Sequence, residues 1–204
     1  MRKIIFVLAL VSLSFSAMDL DAVKLEKRQE SGKIETLVTK VKSVKKNAGR
    51  SAIPGKTIEI TESELVRYVT ESARKKSGKA SLHSFEINFL KNNIFELNAA
   101  VDFDLSEFFE TEKNPLINKI LKKSKDIKNT VYIKARVSSA KGKGIIIVNT
   151  IKINGIKLPD GMVSDALLKI GQKQNPPVDP RMLMPLPYGI QKIEILPGKI
   201  VLKM

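Results

Sequence analysis

The sequence predicts an α+β protein in which amphipathic strands form a curved antiparallel β-sheet that is packed on helices or wrapped around them. Polar and apolar residues alternate strictly over 82–105, a pattern typical of an antiparallel hairpin with one wet and one apolar face. Helix-start signals separate the later strand pairs. The chain has 204 residues, of which 43% are apolar and 28% charged, and this is enough for one domain with a real core.

The first residues predict a secretory signal peptide over 1–16. The N-terminal Met-Arg-Lys is basic, an uncharged apolar run covers 4–13, and the small residues Ser14 and Ser16 fit a cleavage site after Ser16. A membrane span needs about 20 residues, so this run is short for one, although an uncleaved anchor is the alternative. We therefore expect the mature chain to be periplasmic or otherwise extracytoplasmic.

Residues 17–56 are expected to form a basic amphipathic helix and a linker. The linker is indicated by Pro54 and two glycines between 47 and 56. The helix either packs on its own domain or lies on a membrane surface. Its apolar positions recur at helical spacing and are Ile34, Leu37, Val38, Val41 and Val44.

Residues 57–204 are expected to form a single α+β domain that begins with a strand at 57–60. Thr61 and Glu64 then match a capping box at the start of a helix. The hairpin over 82–105 turns at Asn92-Asn93, and His83 is expected on its apolar face as a satisfied or edge histidine. That face must be covered by helices, by another sheet or by a ligand.

The middle of the domain continues with a short helix and a second strand pair. Asn114-Pro115 is expected to begin the helix. The strands are expected at about 130–138 and 145–154, and the alternation places Lys134 and Arg136 on the polar face of the first. We expect Asp102 and Asp104 to pair with these two basic residues across strands rather than to bind calcium.

The last third of the chain predicts a helix, a proline-rich loop and a hairpin. The helix opens at Pro159-Asp160-Gly161 and stops at Gly171, and the hairpin crosses Pro197-Gly198. The loop over 175–189 carries four large apolar residues. It is expected either to clamp the edge of the core or to form the rim of an apolar cavity.

The residue types exclude several kinds of chemistry. The chain has no cysteine and one histidine, so disulfides, thiolate catalysis, iron–sulfur clusters and multi-histidine metal sites are excluded. The phosphate-binding loop and the GxSxG, SxxK and GxGxxG motifs do not occur. We expect no catalytic residue, no metal ligand and no cofactor. A hydrolase that uses paired carboxylates, such as Glu107, Glu110 and Glu112, is the enzymatic alternative.

The net charge of +15, from 36 Lys and Arg against 21 Asp and Glu, predicts an anionic partner. Outside the cytoplasm the anions are lipid headgroups, lipopolysaccharide or wall polymers, and we expect no nucleic acid. Basic residues concentrate between 113 and 143, where Asp126 is the one acid. This surface is either a solvated face or a docking patch for anionic headgroups. The candidate headgroup-binding residues are Lys119, Lys122, Lys123, Lys125, Lys134 and Arg136.

Three stretches carry a family resemblance: the strand and capped helix at 58–65, the alternating hairpin at 83–105, and the ending over 186–201. With these stretches the chain resembles extracytoplasmic lipid-binding proteins of the tubular, TULIP-like kind, including the LmeA-like phospholipid-binding group. The resemblance implies a curved sheet of amphipathic strands around a long helix, with a lipid as ligand. The short chain and its basic N-terminal helix depart from that pattern.

The sequence and the resemblance together predict a non-enzymatic protein that binds or shuttles a phospholipid or another amphipathic lipid in an apolar groove. Each buried methylene contributes about 0.8 kcal/mol, so an acyl chain needs only an apolar slot. The alternative is a structural or envelope-interaction protein that docks on anionic surfaces through its basic face. The candidate lipid-binding residues are Phe85, Ile87, Phe89, Phe95, Leu97, Val101, Phe103, Met182 and Met184.

Overall fold

The computed structural model of the protein describes residues 55–75, 82–102, 129–172 and 177–204, together with residue 115. The predicted signal peptide and amphipathic helix lie outside the described residues, as does the short helix predicted from Asn114-Pro115 apart from its proline. In chain order, the elements are β1 (Thr57–Thr61), α1 (Glu62–Lys75), β2 (Leu82–Phe89), β3 (Ile94–Val101), β4 (Asn129–Ala140), β5 (Lys143–Ile153), β6 (Ile156–Lys157), α2 (Asp160–Gln172), β7 (Met184–Pro185), a 3₁₀ turn (Pro187–Gly189), β8 (Lys192–Leu196) and β9 (Lys199–Lys203).

The strands form two antiparallel sheets, and with the two helices they confirm the predicted α+β class. The larger sheet has the order β2-β3-β4-β5-β6, and β7 pairs with the start of β5 as its sixth strand. The smaller sheet has the order β1-β9-β8. The last hairpin was predicted, but its pairing with β1 in a separate sheet was not.

Helix α1 begins after the predicted capping box. The Thr61 backbone N–H donates to the Glu64 carboxylate at 2.9 Å, and the Glu64 N–H donates to the Thr61 hydroxyl at 3.3 Å. One side of the helix then packs on the larger sheet. Val69 is fully buried there, while Leu65, Val66 and Tyr68 contact the core and keep part of their surface exposed.

The β2–β3 hairpin follows the predicted alternation except at His83. This residue was expected on the apolar face, but it is exposed and its ring nitrogen lies 2.7 Å from the Asp102 carboxylate. The cause is a bulge between Leu82 and Ser84, because an extra residue in one strand reverses the direction of the side chains beyond it.

Helix α2 begins at Asp160, close to the predicted start, and ends at Gln172, one residue after Gly171, which was expected to stop it. Gly171 instead allows the following segment to approach the helix. The Val178 N–H donates to the Gly171 carbonyl at 3.1 Å. A Cβ atom on Gly171 would lie 2.1 Å from the Val178 carbonyl oxygen and 2.5 Å from Cδ of Pro180. A close backbone approach therefore requires the glycine.

The apolar faces of both sheets and both helices meet in one main core. Ile133 and Ala135 in β4 have no exposed surface, so the middle of the larger sheet is the centre of this core. Ile193 and Ile195 bring the smaller sheet into the same cluster. A second, small cluster forms around Ile58 and Met204.

Strand β8 is joined to the larger sheet along a contact that we call the seam. Side-chain hydrogen bonds replace many of the backbone hydrogen bonds that usually join neighbouring strands. The Ser139 hydroxyl bonds both to the N–H and to the C=O of Ile193, at 2.8 and 2.9 Å. The side-chain oxygen of Asn93 accepts from the Ile195 N–H at 2.8 Å. The apolar surface thus continues from one sheet to the other. Two backbone hydrogen bonds extend the seam, from Gly142 N–H to Gln191 O (3.0 Å) and from Gly198 N–H to Phe89 O (3.3 Å).

Candidate functional site

The candidate lipid-binding wall lies on the inner, apolar face of β2 and β3. The register places Phe89 opposite Phe95 and Ile87 opposite Leu97. Exposure of the described wall residues runs from 1% at Leu97 to 8% at Ile87. Phe103 lies outside the described residues. The structure brings the other six residues predicted on this hairpin into one buried cluster: Phe85, Ile87, Phe89, Phe95, Leu97 and Val101.

Three elements cover the inner face within the part of the chain that the structure describes. Helix α1 lies on β2, strand β8 lies against β4 and β5, and helix α2 contacts β5. The wall is therefore packed against side chains of the protein itself. Leu65, Val66 and Tyr68 of α1 pack against this core and remain partly exposed, so part of the apolar surface of α1 reaches the molecular surface.

The two methionines predicted to line the lipid site have different surroundings. Met184 begins β7, pairs with Gly144 of β5, and is half-buried against the main core. Met182 is 64% exposed, as is its neighbour Leu183. The structure thus brings Met184 to the apolar cluster and leaves Met182 at the surface.

The loop that carries Met182 is anchored to α2. The Arg181 guanidinium donates to both carboxylate oxygens of Asp179, at 2.9 and 2.8 Å, and to the hydroxyl of Ser164 on α2 at 3.0 Å. Hydrogen bonds from the Arg181 side chain and backbone lower the pKa of Asp179 to about 2. The carboxylate is therefore ionised over the whole neutral range and keeps the loop in place.

The outer face of the larger sheet carries a charged network around Glu96. Lys134 Nζ lies 2.9 Å from the Glu96 carboxylate on the neighbouring strand, and Lys152 Nζ lies 5.2 Å from the centre of the Tyr132 ring. The hydrogen bond from Lys134, aided by one from Tyr132, lowers the pKa of Glu96. Burial and the bond with Glu96 raise the pKa of Tyr132. The network fixes charges of both signs on one surface.

Two of the six predicted headgroup-binding residues lie among the described residues. Lys134 was expected to pair with Asp102 or Asp104, but the register of β3 and β4 places Glu96 directly opposite it. Arg136 is exposed on the same outer face. The other four lie outside the described residues and are Lys119, Lys122, Lys123 and Lys125.

We searched the described residues for a metal site and for a membrane-spanning helix. Within the ranges given above, no group of three or more His, Asp or Glu side chains is placed to hold a metal ion. In those same ranges, neither helix is long and apolar enough to cross a membrane.

Three residues with clear roles in the geometry were missed by sequence reasoning. Asn93 and Ser139 connect the two sheets, and Arg181 anchors the loop. For Asn93 the sequence signals a turn, which is correct, but nothing in the pattern shows that its side chain also bonds to β8. Ser139 carries no local signal, because Ile193 lies far away in sequence. Arg181 pairs with the nearby Asp179, but nothing in the sequence shows that it also bonds to Ser164 on α2.

Comparisons with known proteins do not assign this chain to a family. No protein-family model matches it, and no curated protein matches it. Among solved structures, a crystal structure of a lipopolysaccharide binding protein is weakly similar, with a TM-score of 0.25 and 11% identity over 76% of this chain and 43% of that one. The chain thus spans less than half the length of that protein. So low a TM-score carries no argument, and only the chain's own residues can support a function.

Proposed function

We propose that the protein is a non-enzymatic, extracytoplasmic lipid-binding or lipid-shuttling protein that holds acyl chains between the larger sheet and helix α1. The observation that carries the proposal is the apolar layer between α1 and the β2–β3 wall. Wall residues such as Phe85 and Phe89 are buried, while Leu65, Val66 and Tyr68 of α1, which pack against the same core, stay partly exposed. We infer that an acyl chain enters this layer from the partly exposed side.

We infer that the acyl chain enters away from the start of α1. Its first residue is fixed, because the Glu62 N–H donates to the Gly198 carbonyl and the Glu62 carboxylate accepts from the Phe89 N–H. Further along, α1 packs on β2 through the apolar side chains around Val69. Moving that part of the helix exchanges apolar contacts with the wall for apolar contacts with a ligand.

The energy of such an exchange is sufficient for binding. A dozen buried methylenes contribute roughly 10 kcal/mol before ordering costs, at about 0.8 kcal/mol each. Part of this is offset by the contacts that α1 gives up. The proposal needs no catalytic group, no metal and no cofactor.

The test is native mass spectrometry with lipid extraction on protein purified from a bacterial periplasm. We expect a stoichiometric adduct of lipid mass, restored in delipidated protein by incubation with phosphatidylglycerol vesicles. Val66→Glu places a carboxylate in the partly exposed layer and should reduce occupancy, because a charge there is desolvated beside an acyl chain. Arg67→Gln, on the next residue of the same helix, is the matched control.

Circular dichroism must show that both variants keep the wild-type fold. A clean protein mass that stays unchanged after incubation with vesicles would overturn the proposal. So would equal lipid occupancy in Val66→Glu and in the wild type. The first result would favour the alternative, in which the apolar face only stabilises the protein and anionic surfaces are bound through basic residues. The second would place the bound lipid away from the layer under α1.

A further inference from the structure

The loop between α2 and β8 presents two large apolar side chains to solvent. Met182 and Leu183 are each 64% exposed, more than any other large apolar residue that the structure describes. Single exposed apolar residues are ordinary on protein surfaces, but an adjacent pair at the tip of a loop forms a small apolar patch. Such a patch is suited to an apolar partner.

The backbone of this tip is held on both sides. On one side the Met182 N–H donates to the Asp179 carbonyl at 3.0 Å, next to the Arg181 anchor. On the other side β7 pairs with β5, and the Leu186 N–H donates to the Gly142 carbonyl at 2.7 Å. Because the loop is already ordered, little conformational entropy is lost when the tip enters another phase.

Two basic residues lie on or next to the end of β5 that pairs with β7, the short strand that follows the tip. Pro185 of β7 pairs with Lys143, and Lys141 occupies the turn just before it; both lysines are exposed. The carboxylates of Asp179 and Asp165 act on Arg181, whose pKa they raise, Asp179 most strongly through its hydrogen bond. Among these five described groups, three cations stand against two carboxylates, which is a small excess of positive charge.

We propose that Met182 and Leu183 form a membrane-docking tip that inserts into the interface of a bilayer containing anionic lipid, with Lys141 and Lys143 at the headgroups. An apolar insertion combined with neighbouring basic residues is what holds peripheral proteins on anionic membranes. Docking brings the protein to the bilayer from which it takes an acyl chain or to which it returns one. That purpose rests on the proposed function, whereas the docking itself does not.

The first test uses the absence of tryptophan from the chain. Leu183→Trp introduces a single reporter at the tip, and its emission should shift to the blue when vesicles of phosphatidylcholine and phosphatidylglycerol are added. Leu196→Trp is the matched control, because Leu196 is also an exposed leucine, at the β8–β9 turn. No shift for Leu183→Trp, or an equal shift for both variants, would overturn the proposal.

The second test measures sedimentation of the full chain with the same vesicles. The double variant Met182→Ser/Leu183→Ser should partition about tenfold less than the wild type, because it loses two inserted aliphatic side chains. Leu196→Ser should bind like the wild type. Unchanged binding of the double variant, or no binding of the wild type, would contradict insertion at the tip.

Charge is tested in the same assay with two matched double variants. Lys141→Glu/Lys143→Glu should weaken binding to anionic vesicles far more than Lys152→Glu/Lys157→Glu, which changes the net charge equally on β5 and β6. Equal losses of vesicle binding in the two double variants would show that the whole positively charged protein is attracted to the anionic vesicles. That result would overturn the role of Lys141 and Lys143. A concentration-dependent dimer that Met182→Ser/Leu183→Ser abolishes would assign the tip to self-association and overturn docking.

The docking proposal and the lipid-binding proposal fail in different ways. A wild type that docks through the tip but carries no lipid in native mass spectrometry would contradict lipid binding and support docking. Lipid occupancy combined with vesicle binding that the tip variants do not change would support lipid binding and contradict docking.

Discussion

The two faces of the larger sheet are built on the same strands and differ in what holds them. On β3 and β4, the inward-facing Leu97 and Ile133 are 1% and 0% exposed. The adjacent outward-facing Glu96 and Lys134 keep 26% and 39% of their side chains exposed and form an ion pair. The inner pair gains from the removal of apolar surface from water, whereas the outer pair gains from a screened charge interaction. Stability is thus concentrated on the inner face.

This difference separates residues that the fold needs from residues that are free for recognition. A lipid in the inner layer would replace contacts that also stabilise the protein, so lipid binding and stability are coupled there. Residues of the outer face and of exposed loops can change with little effect on folding. Pairs of variants matched across the two kinds of surface can test this separation.

The largest loss of stability is expected when a side chain on the inner face is truncated. Leu97→Ala should lower the free energy of unfolding by about 2–5 kcal/mol, because it removes buried methyl groups and leaves a cavity in the main core. Asn98→Ala, the next residue on β3 but exposed on the outer face, should change it by no more than about 0.5 kcal/mol. Urea unfolding of both variants measures the difference. Equal losses would show that the two faces contribute alike.

The second-largest loss of stability is expected where the segment after α2 packs closely against Gly171. Gly171→Ala should destabilise the protein by about 1–3 kcal/mol, since its Cβ would collide with the Val178 carbonyl oxygen and Pro180. Gly161→Ala lies in the same helix, with nothing within 4 Å of its Cβ. It should be neutral or stabilising by up to about 1 kcal/mol. Thermal unfolding that ranks the two variants the other way would contradict the close approach seen at Gly171.

A smaller effect is expected at the seam between the sheets. Asn92 and Asn93 have φ values of 62° and 59°, so glycine suits the backbone at both positions. Asn93→Gly also removes the acceptor for the Ile195 N–H, and should cost about 1 kcal/mol more than Asn92→Gly. Faster amide hydrogen exchange at Ile195 in Asn93→Gly alone would locate the loss. Equal stabilities and exchange rates would show that the seam does not depend on this bond.

Local patterns predicted the elements that depend on local physics. The capping box at Thr61 and Glu64 and the turn at Asn92-Asn93 are set by neighbouring residues, and both occur as expected. The strict alternation over β2 and β3 likewise predicted which side chains are buried, apart from His83 at the bulge. Gly171 shows the limit of such reasoning, because a glycine that ends a helix and a glycine that admits a neighbouring chain look the same in sequence.

Long-range pairing accounts for most of what the sequence did not show. Glu59 and Lys199 come together at 2.8 Å only because β1 joins the last hairpin, and several amphipathic strands could have done so equally well. Long-range pairing also explains why the prediction for the two methionines of the candidate lipid site was only partly met. Met182 and Met184 both lie in one proline-rich segment, and the short pairing of β7 with β5 brings Met184 against the core, half-buried, while Met182 stays exposed.

The smallest effect is expected on the outer face, where Glu96→Gln should lower Tm by no more than about 2 °C at neutral pH. The pH dependence gives this small effect a distinct signature. Since Lys134 lowers the pKa of Glu96 in the folded state, the pair stabilises the protein above the ordinary carboxylate value of 4.5. The stabilisation is lost as the pH falls through the lowered pKa.

The Tm difference between the wild type and Glu96→Gln should therefore shrink below about pH 4.5 and disappear in stronger acid. Glu86→Gln, also on the outer face and exposed, is the control and should change Tm less at neutral pH. High salt should reduce the Glu96 effect as well, and should leave the loss in Leu97→Ala intact. A Tm loss in Glu96→Gln that resists both acid and salt would mean that the outer face is held by packing, and the contrast between the two faces would no longer stand.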